Sequence, residues 1–186
     1  MLDSFIELDQ QVFLILNKAH TPFWDDIMFS LSEKLIWLPL YLAVLVQLIY
    51  VYRKKAIIPI VALLVLIGMA DLTASKIFKP NIKRYRPTHQ VGIQEYVHTV
   101  NNYEGGTYGF FSSHASISYV FTFFLIFLMA KKKKYYYVLL FWATVVSYSR
   151  IYLGVHYPLD ILAGAFFGFI YALIFINIPI IKKMKL

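Results

Sequence analysis

Long runs of apolar residues alternate with short polar segments along most of the chain. Five of these runs approach the length of about 20 residues that a helix needs to cross a bilayer. They occupy positions 35–52, 56–78, 113–130, 135–153 and 159–180. The pattern predicts an all-α integral membrane bundle of about five transmembrane helices. Residues 1–186 are few enough to form a single domain.

The first 33 residues have a different pattern, in which apolar positions recur at helical spacing with acidic residues between them. This pattern is typical of an amphipathic helix on a membrane surface, and packing of the helix on the bundle explains it equally well. A second short segment, from about Pro22 to Ser32, is expected to behave in the same way. With the N-terminal helix, the bundle would have six helices. The acidic start differs from the basic start of a secretory signal, so no cleaved signal is expected.

The composition agrees with a membrane protein rather than a soluble one. Apolar residues make up 60% of the chain and charged residues only 15%, whereas about 25% charged residues is usual in soluble domains. Without cysteine, thiol chemistry and cysteine-based metal sites are excluded. The formal net charge of +8 would suit nucleic acid, but the cations lie between the apolar runs, as in membrane proteins. No nucleic acid partner is therefore expected.

Three basic clusters follow the first, third and fifth predicted spans. They are Arg53–Lys55, Lys131–Lys134 and the group Lys182, Lys183 and Lys185. Because the ends of odd-numbered spans lie on one side of a membrane, the positive-inside rule makes that side cytoplasmic. We expect a multi-pass protein of the cytoplasmic (inner) membrane, with these loops and the C-terminus in the cytoplasm. The loop 79–112 would then face the periplasm or the outside.

The start of this loop carries positive charge on the face where positive charge is normally scarce. The cations are Lys79, Lys83, Arg84 and Arg86. Arginine offers planar paired donors and lysine a compact charge, so phosphate is a natural ligand for them. Contact of the long side chains with lipid headgroups is the alternative explanation.

Three short segments with reactive or cationic side chains are expected to come together at this outer face. The first runs from Lys79 to Pro87, and Pro80 within it is expected to end the second span. The second segment is 111–116, at the start of the third span. Ser112 or Ser113 can cap this span, and the N-terminus of a helix favours an anion.

The third segment, 149–160, combines a histidine with an acid one helical turn later. Asp160 can accept the Nδ1–H of His156, which leaves Nε2 free as a nucleophile. A second histidine, His114, begins another helix at the same face and could serve as a general acid.

These residues resemble the motifs of the type 2 phosphatidic acid phosphatases, membrane lipid phosphatases that are related in site architecture to vanadium haloperoxidases. The family pattern is K-x6-R-P, then P-S-G-H, then S-R-x5-H-x3-D. Lys79 to Pro87 fits the first motif completely, and Ser149 to Asp160 fits the third. In the second motif, Phe111 stands in place of the proline and Ser113 in place of the glycine.

The resemblance implies a phosphohistidine mechanism. His156 would attack phosphorus with Asp160 orienting it, while His114 would protonate the leaving oxygen and then activate water. The phosphoryl oxygens would be bound by Lys79, Arg86, Ser112, Ser113 and Arg150. Phosphoryl transfer depends mainly on positioning and charge stabilisation, which fixed cations can supply, so no metal or other cofactor is expected.

The sequence therefore predicts a membrane-embedded phosphatase that acts on a lipid phosphate or diphosphate. Undecaprenyl or another polyprenyl diphosphate is the first choice, because so short a chain has little outer structure for recognising a large sugar. Phosphatidylglycerol phosphate, phosphatidic acid and lipid A phosphate are the other candidates. The alternative function is binding or transport of anionic lipids without reaction. Haloperoxidase chemistry is disfavoured, because it is associated with soluble proteins and this chain is predicted to lie in a membrane.

The other histidines and acids of the outer face are expected to have no catalytic or binding role. His89 and His98 are expected to be solvated surface residues, and His20 is expected to lie near the membrane interface without a role. Glu95 and Glu104 are too few for a calcium site. The stretch 88–109 is expected to be a polar connection that could cover the lipid headgroup.

Overall fold

The computed structural model describes residues 2–129 and 133–185, and these residues form a bundle of helices. The helices are α1 (Leu2–Lys18), α2 (Pro22–Ser32), α3 (Leu38–Tyr52), α4 (Ile57–Ile82), α5 (Ser113–Met129), α6 (Val138–Tyr152), α7 (Pro158–Ile176) and the short α8 (Pro179–Lys182). The predicted all-α class is confirmed. Of the predicted lysine cluster, Lys131 and Lys132 lie outside the described residues.

All five predicted spans are helical in the described residues, and their described ends differ from the predicted ends by at most four residues; the predicted end of the third span, at 130, lies outside the described residues. Three helical stretches in the described chain are long and apolar enough to cross a membrane: Lys34–Lys55, Ile57–Ile82 and Pro158–Ile176. Helix α5 is apolar but has only 17 residues. Helix α6 has 15 residues and is preceded by a 3₁₀ turn at Lys134–Tyr137.

The prediction that Pro80 ends the second span is wrong. A π-helical turn at Thr73–Phe78 precedes this proline, and the helix continues to Ile82. A proline ring normally clashes with the preceding turn and removes one hydrogen bond, and a wider π turn accommodates both defects. The helix ends where Lys83 adopts a left-handed conformation with φ of 52°.

Helices α5 and α7 make the closest contact in the bundle through two glycines spaced four residues apart. A Cβ atom on Gly164 would lie 2.7 Å from the carbonyl oxygen of Ser112, and one on Gly168 would lie 2.8 Å from the carbonyl oxygen of Ser116. Such glycine pairs let membrane helices approach until their backbones touch. The contact fixes the N-terminus of α5 against the first turns of α7, where the backbone N–H of Ser112 donates to the carbonyl of Asp160 at 3.1 Å.

Helix α1 fits both interpretations of its amphipathic pattern. On one side Phe13 is fully buried and packs edge-on against Tyr157, with ring centroids 5.3 Å apart. On the other side Phe5, Leu8 and Ile15 are exposed and available to a membrane surface. The helix is therefore anchored to the bundle beside the start of α7.

Candidate active site

His156 and Asp160 form a buried pair where α6 turns into α7. The turn depends on Gly154, whose φ of +75° is unfavourable for other residues, and α7 begins at Pro158. Nδ1 of His156 lies 3.4 Å from Oδ2 of Asp160, which also accepts a 3.0 Å bond from the backbone N–H of Tyr157. Neither His156 nor Asp160 is more than 1% exposed.

The surroundings of His156 keep its imidazole neutral. Burial lowers the pKa of His156 well below its ordinary value of 6.5, and the charges of Arg86, Arg150 and Lys79 lower it further. With Asp160 accepting the Nδ1–H, the lone pair is on Nε2. The geometry therefore places a ring nitrogen with a free lone pair among several cations.

Two of these cations are buried without a carboxylate partner in the part of the chain that the structure describes. Arg150 is 3% exposed and donates 2.9 Å bonds only to the hydroxyls of Ser32 and Tyr103. Arg86 is 8% exposed and donates to the carbonyl of Tyr108 at 3.2 Å. Burying a charge without a counter-ion costs several kcal/mol. Both guanidinium groups are therefore suited to an anionic ligand.

The N-terminus of α5 adds further donors beside Lys79. Oγ of Ser112 accepts from the backbone N–H of Ala115 at 3.4 Å, so Ser112 acts as the cap. Oγ of Ser113 lies 3.5 Å from Nζ of Lys79, and half-buried His114 follows directly. The backbone N–H groups of this first turn favour an anion.

A glycine in the outer loop shows how tightly the segments converge. A Cβ atom on Gly109 would lie 3.1 Å from Cγ of Arg86, 3.2 Å from Oδ2 of Asp160 and 3.6 Å from Nδ1 of His156. The loop is held there by bonds between Gly109 N and Arg84 O at 2.9 Å and between Arg86 N and Thr107 O at 3.1 Å. The predicted polar connection is thus folded onto the site.

One of the predicted outer cations has a different role from the others. Arg84 donates to Oδ1 of Asp160 at 2.7 Å and also pairs with Asp9 of α1. Its guanidinium lies 4.3 Å from the centre of the Tyr157 ring. Two carboxylates neutralise this arginine, so the interpretation of Arg84 as part of the anion site is wrong. Lys83 is exposed at the end of α4.

Asp9 is a site residue that the sequence analysis missed. It is 5% exposed, and its Oδ1 accepts a 2.9 Å bond from the backbone N–H of Leu159 in the first turn of α7. Burial raises the pKa of Asp9, while the bonds from Arg84 and Leu159 act against that rise. In the sequence Asp9 is one of several acids on an amphipathic helix, and nothing there distinguishes it from Glu7.

An apolar groove begins beside His114 and runs between α3, α4, α5 and α6. Its volume is about 400 Å³, and Ser32 and Lys34 lie at the same end as His114. Further along, the groove is lined by apolar and aromatic residues that include Tyr41, Leu48, Leu63, Ile67, Phe121 and Trp142. Its end at His114 is also next to Arg150, because Arg150 binds Ser32. The arrangement can hold an apolar chain with a phosphate at the catalytic end.

Comparison with known proteins agrees with this chemistry. Residues 58–182 match the PAP2 superfamily. A lipid A 4'-phosphatase of Bacteroides thetaiotaomicron is 37% identical over 170 residues, which are 90% of this chain and 75% of that protein. A lipid A 4'-phosphatase of Porphyromonas gingivalis is 33% identical over 172 residues, 91% of this chain and 72% of that protein.

The fold has a counterpart among solved structures. A transmembrane PAP2-type phosphatidylglycerolphosphate phosphatase from Bacillus subtilis superimposes with a TM-score of 0.70 at 23% identity, covering 98% of this chain and 88% of that one. The resemblance based on three motifs is confirmed, and so is the prediction of an enzyme. The chain belongs to the PAP2 superfamily and is a membrane lipid phosphatase.

Proposed function

We propose that this phosphatase removes a phosphate monoester from the sugar of an acylated glycolipid of the lipid A type. The proposal rests on the guanidinium groups of Arg86 and Arg150. Both are buried without a carboxylate partner in the described chain, and they lie beside His156 at the end of an apolar groove. A phosphate group fits the cations and acyl chains fit the groove. Similarity to two lipid A 4'-phosphatases, over 90% and 91% of this chain and 75% and 72% of those proteins, supports this choice of substrate.

The predicted first choice, a polyprenyl diphosphate, is not confirmed and becomes the second candidate. It is favoured by a protein of Escherichia coli whose name proposes undecaprenyl-diphosphatase activity, but that match covers 59 residues at 41% identity, 32% of this chain. The alternative of lipid binding without reaction is not supported by membership of a phosphatase family.

The mechanism uses the two histidines in sequence. Nε2 of His156 attacks phosphorus, a P–N bond forms, and the P–O bond to the lipid breaks while His114 protonates the leaving oxygen. His114 then takes a proton from water, which attacks phosphorus, so that the P–N bond breaks and inorganic phosphate leaves. Lys79, Arg86 and Arg150, together with the hydroxyls of Ser112 and Ser113, stabilise the phosphoryl oxygens through both steps. These protein groups supply the required positive charge without a metal.

The site would face the periplasm or the outside of the cytoplasmic membrane. This placement rests on the basic clusters after α3, after α5 and at the C-terminus, which the positive-inside rule assigns to the cytoplasm.

We expect a lipid A phosphate to be the best substrate of the purified full chain in detergent. Phosphate release would be measured over lipid A phosphate, undecaprenyl diphosphate, phosphatidylglycerol phosphate and phosphatidic acid, each with and without a chelator. We expect lipid A phosphate to give the highest kcat/KM and the chelator to leave every rate unchanged. A higher kcat/KM for undecaprenyl diphosphate would contradict the substrate assignment, and loss of activity in chelator would contradict the metal-free mechanism.

We also expect Asp9 and Arg84 to be positioning residues, because they hold Asp160 and act on His156 only through it. Asp9→Asn and Arg84→Ala should lower kcat by about 10- to 100-fold, the range expected for small misplacements of reacting groups. KM should stay near its normal value, since neither residue faces the phosphate. Arg84→Lys, which keeps the charge beside Asp160, should restore part of the rate.

The matched control for Asp9 is Glu7→Gln, the same change on an exposed position of the same helix. A fall in kcat for Glu7→Gln equal to that for Asp9→Asn would indicate a general effect of α1 charge instead of positioning.

A further inference from the structure

Three side chains from separate segments form a cluster on the outer face, apart from the His156 site. His20 lies in the linker between α1 and α2, Asp25 in the first turn of α2, and His98 in the outer loop. The two imidazole rings are parallel, with centroids 3.6 Å apart and planes inclined by 1°. Nε2 of His98 lies 2.9 Å from Oδ1 of Asp25. His20 is exposed and His98 is partly exposed, but the two rings and Asp25 are in contact, which the sequence analysis did not predict.

Buried polar residues hold two members of the cluster in place. Asn17, which is 1% exposed, accepts from the backbone N–H of His98 at 2.8 Å and donates to the carbonyl of His98 at 3.2 Å. The hydroxyl of Tyr152, also 1% exposed, donates to Oδ1 of Asp25 at 2.7 Å. Outer partners that orient the ligating groups are a usual feature of metal sites.

Histidine binds metals through a neutral ring nitrogen and aspartate through an ionised carboxylate. An ion pair between His98 and Asp25 explains two members of the cluster but not the position of His20.

We propose that His20, Asp25 and His98 bind a zinc ion. Imidazole and carboxylate are usual zinc ligands, and three protein ligands with water in the fourth position form a known type of site. The potential ligand atoms of the three residues all lie within 4.8 Å of one another. Ligand atoms around a tetrahedral zinc are about 3.3 Å apart and the metal lies in the plane of each ligating ring, so exposed His20 must turn out of its stack on His98 to bind.

The ion would connect the N-terminal helices to the outer loop. The same loop carries Tyr103, which binds the guanidinium of Arg150 at 2.9 Å. Zinc at the cluster would therefore be a structural cross-link to this loop, while the bond between Tyr103 and Arg150 is made by protein groups alone. It would take no part in phosphoryl transfer, because none of its three ligands lies next to His156.

Isothermal titration of the full chain in detergent, free of any polyhistidine tag, tests the proposal with zinc chloride. We expect one zinc ion per chain, and at least 10-fold weaker binding after His20→Ala or His98→Ala, since even loss of an outer partner costs about 10- to 100-fold. The matched control is His89→Ala, a histidine of the same loop outside the cluster, which should bind zinc as the unchanged protein does. Cobalt in place of zinc should give the visible absorption of a four-coordinate ion.

His20→Ala is the decisive variant, because this side chain is exposed and its removal leaves the bonds of Asn17 and Tyr152 intact. Unchanged zinc affinity in His20→Ala would overturn the proposal, as would the absence of saturable binding to the full chain. The phosphatase assignment is tested separately, since lipid phosphate release without zinc depends on His156 and not on this cluster.

Discussion

Replacing His156 with alanine should abolish phosphate release from lipid. This residue provides the only nitrogen that forms the proposed P–N bond, and its loss should lower kcat by more than about 10⁴-fold, the scale seen when a covalent nucleophile is removed. No phosphorylated protein should form when the variant is mixed with radiolabelled substrate. Substrate binding should persist, because Lys79, Arg86 and Arg150 remain.

The control for this prediction is His89→Ala, which removes a histidine of the outer loop that takes no part in the proposed mechanism. It should retain the normal kcat.

The unchanged protein should keep its nucleophile neutral well below pH 6.5, because burial lowers the pKa of His156. A His156→Ala protein that released phosphate at the normal rate would show that another group attacks phosphorus.

Replacing His114 with alanine should slow the reaction by about 10²- to 10⁴-fold, the usual contribution of a general acid or base. The size of the loss should depend on the leaving group. An aryl phosphate with an acidic phenol needs little protonation, so its first step should be nearly normal in the variant. Because His114 is also needed to activate water, the phosphohistidine should then accumulate and be detectable as an acid-labile, base-stable label.

The double variant His114→Ala and His156→Ala supplies the control, since it should give no label at all. Equal losses for lipid and aryl substrates, with no trapped intermediate in His114→Ala, would remove His114 from both proton transfers. It would leave the assignment of His156 as nucleophile untouched.

The sequence was sufficient to predict the helices and the contact between His156 and Asp160, for physical reasons. Membrane helices need long apolar runs, so their ends could be placed within a few residues. The first and third site motifs keep their residues at short fixed spacings, and Asp160 falls one helical turn after His156. Such local relationships survive folding, which is why the pair is found in contact.

Other features depend on contacts between distant segments and could not be predicted. Asp9 is 75 residues from Arg84 in sequence and 150 residues from Leu159. No pattern in the sequence around Asp9 indicates either bond. The same holds for His98, whose partner Asp25 is 73 residues away. The position of the apolar groove depends on how four helices pack, which the hydrophobic pattern of each helix leaves open.

The glycine contact between α5 and α7 makes the two sides of α5 differ in whether a lipid chain can pass within the plane of the membrane. Backbone meets backbone at Gly164 and Gly168, so no hydrocarbon chain can pass between these two helices. The groove opens on the other flank of α5, toward α3 and α4. A lipid diffusing in the bilayer would consequently reach His114 along the groove and not between α5 and α7. Bulky substitutions along α3 should obstruct its path, while equivalent changes on the outer surface of α7 should not.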